Sequence, residues 1–195
     1  MARRKDADRD GSRLVEEAVA YLQHQRDLPV DGPDRGSTCQ SHKPILLAYA
    51  GSDLEQRVLE TIASLSYGLG FELRVVHVRE YDFCRGSRFF LETPVEAASV
   101  TLDAVSQLRR AGLAASGFVR EASRANVAQA IVREAGAIGA CAIILGGRLS
   151  GVLRAALFGS VSRRIVRQSN CPVVFVNCPV VLVNAPALGG RSDGA

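Results

Sequence analysis

The sequence predicts an α/β fold: a doubly wound parallel sheet with helices on both faces. Three observations carry this. From Pro44 onward, short apolar runs alternate with segments of helical periodicity. The runs are continuously apolar, as strands buried on both faces require. The chain of 195 residues, 47% of them hydrophobic, suits one compact domain plus tails.

The first run, "PILLAYA" from Pro44, reads as a buried strand. "SDLEQRVLETIASLSYGLG" follows as a helix, with Ser52 or Asp53 as its cap. Val58, Leu59, Ile62, Leu65 and Leu69 form its apolar face, and Gly68 and Gly70 its stop. "FELRVVHV" is the second strand, and "REYDFCRGSRFFLET" reads as a polar and aromatic connection. In "PVEAASVTLDAVSQLRRAG" the proline suits a first helical turn. The closing arginines suit the negative end of the helix dipole. "LAASGFVREA" is a weaker third strand and so a sheet edge. "RANVAQAIVREAGAIG" is a helix with Val127, Ala130, Ile131 and Ala135 on one face, and "ACAIILGG" is the fourth strand. A basic helix from about Ser160 to Ser169 precedes the fifth strand, "PVVFVN". Right-handed crossovers are expected, and ligands are expected outside the carboxyl ends of the strands.

Both flanks differ in composition. Residues 1–42 form an N-terminal extension in which "GSRLVEEAVAYLQHQ" predicts a short amphipathic helix between charged or Pro/Gly/Ser-rich stretches. At the other end "CPVVFVN" (171–177) is followed directly by "CPVVLVN" (178–184). The second copy is either a loosely attached duplication or a segment that extends or competes for a sheet edge. The expected organisation is thus an extension at 1–42, a domain at 43–177, and a duplicated strand segment with a tail at 178–195.

Several classes are disfavoured. No long apolar run predicts a membrane span, and the basic N-terminus has no apolar stretch behind it, so a cytoplasmic location is expected. The 5 cysteines are irregularly spaced and form no CxxC, which argues against a disulfide framework or a zinc site. After Glu134 the sole acidic residue is Asp193, while Arg148, Arg154, Arg163, Arg164 and Arg167 fall in that region. This local positive field is either a solvated helix face or an attractor for an anionic ligand. Nucleic acid is not expected, because aromatic residues are not interleaved with the arginines. His77 reads as a hydrogen-bonded packing residue. Ser52 and Ser162 lack histidine–aspartate partners at known spacing, so no residue set supports a defined reaction.

The loop after the fourth strand, "LGGRLSGVLRAALFGS", carries the candidate chemistry. Glycine lets backbone N–H groups approach an anion, and a helix N-terminus offers unbonded amides. Gly146 and Gly147 end the strand, and Gly159 and Ser160 open the helix. Neither a Walker A motif nor a GxGxxG is present.

From Lys43 to Val176 the chain resembles a universal stress protein domain. The resemblance rests on "KPILLAYAGSDLEQRVLETIASLSYGLGFELRVVHV", on "ACAIILGGRLSGVLRAALFGSVSRRIVRQSNCPVVFV", and above all on "GSVSRRIVRQSNCPVVFV". It implies a five-stranded parallel sheet in the order 3-2-1-4-5, of the adenine nucleotide alpha hydrolase type. It also implies a homodimer joined near the fifth-strand edge and a role in stress response. Nucleotide-binding members carry G-x2-G-x9-G-[ST], which holds the ribose and phosphates of ATP. Here its first glycine is Gly146 and its last pair is Gly159 and Ser160, while Leu149 stands at the second glycine. Ala50 stands where the family often has an aspartate at the end of strand one. Arg148 offers a guanidinium that pairs bidentately with phosphate. The expected ligand contacts are therefore Gly146, Gly147, Arg148, Gly159 and Ser160, in a weak or degenerate ATP-class site. The alternative is a ligand-free homodimeric interaction protein.

Overall fold

The computed structural model describes residues 43–65, 71–146, 159–176 and 181–183. The amphipathic segment at Gly11–Gln25, and Gly147, Arg148 and Leu149, lie outside these residues. The elements run β1 (Ile45–Ala48), α1 (Asp53–Leu65), β2 (Glu72–Cys84), β3 (Ser87–Phe90), α2 (Pro94–Arg110) and β4 (Ala114–Ser123). A 3-10 turn (Arg124–Asn126) then leads into α3 (Val127–Ala137), β5 (Ala142–Gly146), α4 (Ser160–Gln168), β6 (Val173–Val176) and β7 (Val181–Val183).

Five strands pair in parallel in the order β4-β2-β1-β5-β6. These are the third, second, first, fourth and fifth strands of the sequence reading, so the expected order and the expected edge strand both hold. The central runs are apolar throughout because both faces are covered. Ile45, Leu47, Val75 and Ile144 pack with α1 and α2 on one face. Leu46, Val76, Ile143, Leu145 and Phe175 pack with α3 and α4 on the other.

Two antiparallel strands complete a seven-stranded sheet. The stretch read as a connection is in fact the end of β2 and a hairpin. Cys84 pairs with Ser87, and both residues between them have positive φ, Arg85 at 50° and Gly86 at 82°. Two left-handed residues make the turn whose twist matches antiparallel strands. Tyr81 pairs with Phe90 and also with Ser123, so β3 and β4 flank β2 on opposite sides. β3 therefore lies on the side of β1, beyond its carboxyl end. The second addition is β7, the copied segment, which pairs antiparallel with β6. The edge to which the resemblance assigns a dimer contact is thus paired within the chain.

Local chemistry fixes the helices. Thr93 and Glu96 form a reciprocal capping box around Pro94 at the start of α2. Hydrogen bonds from Thr93 hold the exposed Glu96 carboxyl below its ordinary pKa. On α3, Glu134 is buried and Arg120 of β4 grips both of its oxygens, at 2.8 and 3.0 Å. That bond raises the pKa of Arg120 further, so the guanidinium stays charged. It fastens β4 to α3.

Candidate functional site

The strands β1 and β5 end together beside the middle of β2: Ala48 pairs with Val76 on one side and with Leu145 on the other, while β2 runs on to Cys84. A crevice at the carboxyl ends of parallel strands is the natural ligand position of such sheets. Among the described residues a cleft of about 220 Å³ opens there. Its walls are Ala48, Tyr49 and Ala50 of β1 and its exit, Leu145 and Gly146 of β5, and Val76, Val78 and Glu80 of β2. Val127 and Ile131 of α3 and Val161, Ser162 and Ile165 of α4 close it.

The alternation of β2 places its side chains. Residues 76, 78 and 80 share one face and line the cleft in order of height. Glu80 is the charged member of this lining. Its carboxylate is 3.6 Å from the Arg124 guanidinium, with the two side chains 33% and 67% exposed. So long and exposed a pair contributes little. The carboxylate therefore stands at the rim of an otherwise apolar wall, able to accept hydrogen bonds from a ligand.

The start of α4, also in the lining, offers donors. Gly159 caps α4 without a side chain, and the first intrahelical bond runs from Arg163 N to Gly159 O at 3.1 Å. The amides of Ser160, Val161 and Ser162 therefore have no acceptor within the helix. No acidic residue occupies that first turn. Arg164 donates to the Ala125 carbonyl and ties α4 to the turn that precedes α3. Together these set an anion-favouring helix start beside the end of β5.

Of the residues singled out from sequence, Gly146 lies in the cleft wall, and Gly159 and Ser160 stand at the mouth of α4 beside the lining residues Val161 and Ser162. Gly147 and Arg148 lie outside the described residues. Ala50 is in the cleft wall, so the position to which the resemblance assigns an aspartate has no carboxylate here. Sequence reasoning missed Glu80, because strand two was ended at Val78. It considered Ser162 only as a nucleophile, not as a lining residue.

His77 points to the other face of β2 and is buried. Its Nδ1 lies 2.9 Å from the Tyr49 carbonyl, and its Nε2 2.7 Å from a Glu92 oxygen. A carbonyl only accepts, so Nδ1 carries a proton. Arg79 also donates to the Glu92 carbonyl, at 2.9 Å. The histidine is the hydrogen-bonded packing residue expected, and it braces the end of β1 under the cleft.

Comparison with known proteins matches this architecture. The universal stress protein family model matches residues 41–177. A universal stress protein of Thermus aquaticus is 32% identical over 139 residues, covering 69% of this chain and 98% of that protein. A universal stress protein structure from Archaeoglobus fulgidus superposes with a TM-score of 0.55 at 29% identity, covering 69% of this chain and 93% of that one. A second structure from that organism, in complex with dAMP, gives 0.53 at 29% identity, over 69% of this chain and 97% of that one. With a wound sheet in the expected order and a family match spanning its five parallel strands, the chain belongs to the universal stress protein family.

Proposed function

We propose that this protein is a stress-response sensor that binds an adenine nucleotide weakly in the cleft between β1, β2 and β5. The observation that carries the reading is the polarity of the cleft. An otherwise apolar slot is lined by one carboxylate, Glu80, and by the first turn of α4, whose amides have no intrahelical acceptor. β2 and β5 are separated by β1, which sets these two strands about 10 Å apart. That is close to the length of a nucleoside monophosphate from base amine to phosphate. In this pose the base lies on Val76, Val78, Ile131 and Leu145, its exocyclic amine donates to Glu80, and the phosphate meets Gly146, Gly159 and Ser160. A volume of about 220 Å³ is small for a whole nucleotide, so the phosphates extend beyond the slot. The dAMP complex of the Archaeoglobus fulgidus protein supports an adenine nucleotide as the class of ligand. ATP is the member of that class favoured by the glycine spacing around Gly146, Gly159 and Ser160.

The test is thermal stability with and without AMP or ATP and magnesium. Ligand at a hundred times its dissociation constant stabilises by about 2.7 kcal/mol. No shift at millimolar nucleotide would leave the second reading, a ligand-free interaction scaffold. Two observations favour that alternative: Ala50 takes the place of an acidic anchor in the cleft wall, and no basic side chain is among the described lining residues.

A further inference from the structure

The end of β2 and the whole of β3 project beyond the carboxyl end of β1, and the two faces of this hairpin are furnished differently. On the face shared with His77, Tyr81 and Phe90 stand opposite each other with ring centres 5.4 Å apart. Arg79 and Arg88 cover them, 3.6 Å from the Phe90 ring centre and 4.9 Å from that of Tyr81. The other face carries Phe89, 61% exposed, and Leu91, 57% exposed. Among the described residues no ring and no guanidinium lies on Phe89.

Register puts this bare pair beside the cleft. Opposite residues of an antiparallel ladder project to the same face, with Cβ atoms about 5 Å apart and diagonal neighbours at about 7–8 Å. Phe89 is opposite Asp82. One step along the ladder, Leu91 N donates to the Glu80 carbonyl at 3.2 Å. Leu91 thus stands opposite Glu80, and Phe89 stands diagonal to it. Residues 76, 78, 80 and 82 share one face of β2, and the first three line the cleft. The lining is therefore apolar below the Glu80 carboxylate, at Val76 and Val78, and the surface is apolar again beside it, at Leu91 and Phe89. A hydrogen-bonding group set between two apolar surfaces suits a single ligand that spans all three.

We infer that Phe89 and Leu91 form a specificity shelf at the base end of the cleft, and that the preferred ligand is an adenine nucleotide whose 6-amino group carries an apolar substituent. The shelf presupposes the nucleotide reading of the cleft and narrows its ligand. An unsubstituted base amine reaches Glu80 and ends there, which leaves Phe89 and Leu91 in water. A substituted amine keeps one N–H to donate to the carboxylate, and its substituent continues onto the shelf. An aromatic substituent gains twice, by burying apolar area and by ring contact with Phe89.

The experiment titrates the full chain with AMP and with N6-benzyl-AMP by calorimetry. The wild type is expected to bind N6-benzyl-AMP at least about tenfold more tightly than AMP. In Phe89→Ser/Leu91→Ser the two affinities should come within about threefold of each other. Phe83 is similarly exposed, at 65%, but lies on the other face of the same hairpin, so Phe83→Ser should keep the wild-type ratio. The chain has no tryptophan, so Phe89→Trp places a single fluorophore on the shelf. Its emission should shift to the blue with N6-benzyl-AMP and stay in place with AMP, which reads the contact even if the serine variant is unstable. A wild type that binds AMP without that gain from the benzyl group would overturn the shelf and leave the nucleotide reading standing. So would a serine double variant that keeps the full ratio, a Phe83→Ser chain that loses it, or benzyl ligand that binds Phe89→Trp without a blue shift. Uptake of neither nucleotide at millimolar concentration would remove both readings.

Discussion

Replacing Glu80 with glutamine separates the proposed base contact from everything else in the cleft. The ion pair with Arg124 spans 3.6 Å and both partners are substantially exposed, so its loss moves folding stability by less than about 0.5 kcal/mol. A hydrogen bond from a base amine to the carboxylate is charge-assisted and worth about 1.5–3 kcal/mol. That corresponds to roughly 10- to 150-fold in affinity. AMP presents an amine at the 6-position of the purine, and inosine monophosphate presents a carbonyl there. The wild type should therefore prefer AMP by about that factor, since a carboxylate facing a carbonyl has no proton to share. Glutamine can turn its amide either way, so Glu80→Gln should bring the two ligands within about threefold of each other. Isothermal titration calorimetry with both nucleotides on both proteins reads this directly. If the variant weakens AMP and inosine monophosphate equally, Glu80 does not read the base. If the wild type takes up neither at millimolar concentration, the nucleotide reading itself is wrong.

Gly159→Asp should move stability and binding in opposite directions. A Cβ at this position meets nothing within 4 Å. Aspartate is a good N-cap, so α4 should gain a few tenths of a kcal/mol. Its carboxylate would occupy the amides proposed for phosphate, and AMP affinity should fall at least about tenfold; equal affinity would remove the helix start from the site. Gly117 of β4 sits under α2, where a Cβ would come within 2.6 Å of Thr101 Cγ2 and 2.8 Å of Val105 Cγ2. Gly117→Ala should cost about 1–3 kcal/mol by overpacking. In a Thr101→Ser/Val105→Ala background the same change should cost less than about 0.5 kcal/mol by urea denaturation, and an undiminished penalty there would rule out this contact as its cause. Burial raises the Cys141 thiol from an ordinary 9.0 to about 11. The folded state therefore keeps a proton that the unfolded state loses first. Its contribution is fully present below about pH 9 and declines by about 1.4 kcal/mol per pH unit up to about pH 11. Comparing the wild type with Cys141→Ala across that range isolates the slope, and parallel curves would contradict it.

How far the sequence could be read follows from where each element gets its information. β1, β5 and β6 were legible because strands covered on both faces must be apolar at every position, and "ILLA", "AIIL" and "VVFV" satisfy that without ambiguity. α3 was legible because Val127, Ile131 and Ala135 repeat on one face and are all buried. The β3 hairpin was not. Its turn is Arg-Gly, not the stronger Asn-Gly or Asp-Gly signal. Two of its aromatic residues are covered by arginines, with Arg79 3.6 Å from the Phe90 ring centre and Arg88 4.9 Å from that of Tyr81, while Phe83 and Phe89 are exposed. Charged residues that shield rings look polar in sequence although they serve an apolar surface. The misreading of the hairpin is why Glu80 was not counted among the candidate lining residues. Once β2 is allowed to run to Cys84, its period of two carries the cleft wall from Val76 and Val78 to Glu80. The glycines at 146 and 159 were visible because turns and helix starts have local signatures. The carboxylate of Glu80 was hidden because its place depends on the length of a strand, and that length is set by pairing with Ala122 at the far end of β4 and, beyond it, with β3, which the sequence does not announce. A wound sheet can therefore acquire a new ligand contact without any change at its glycine-rich loop, by extending the strand that faces it.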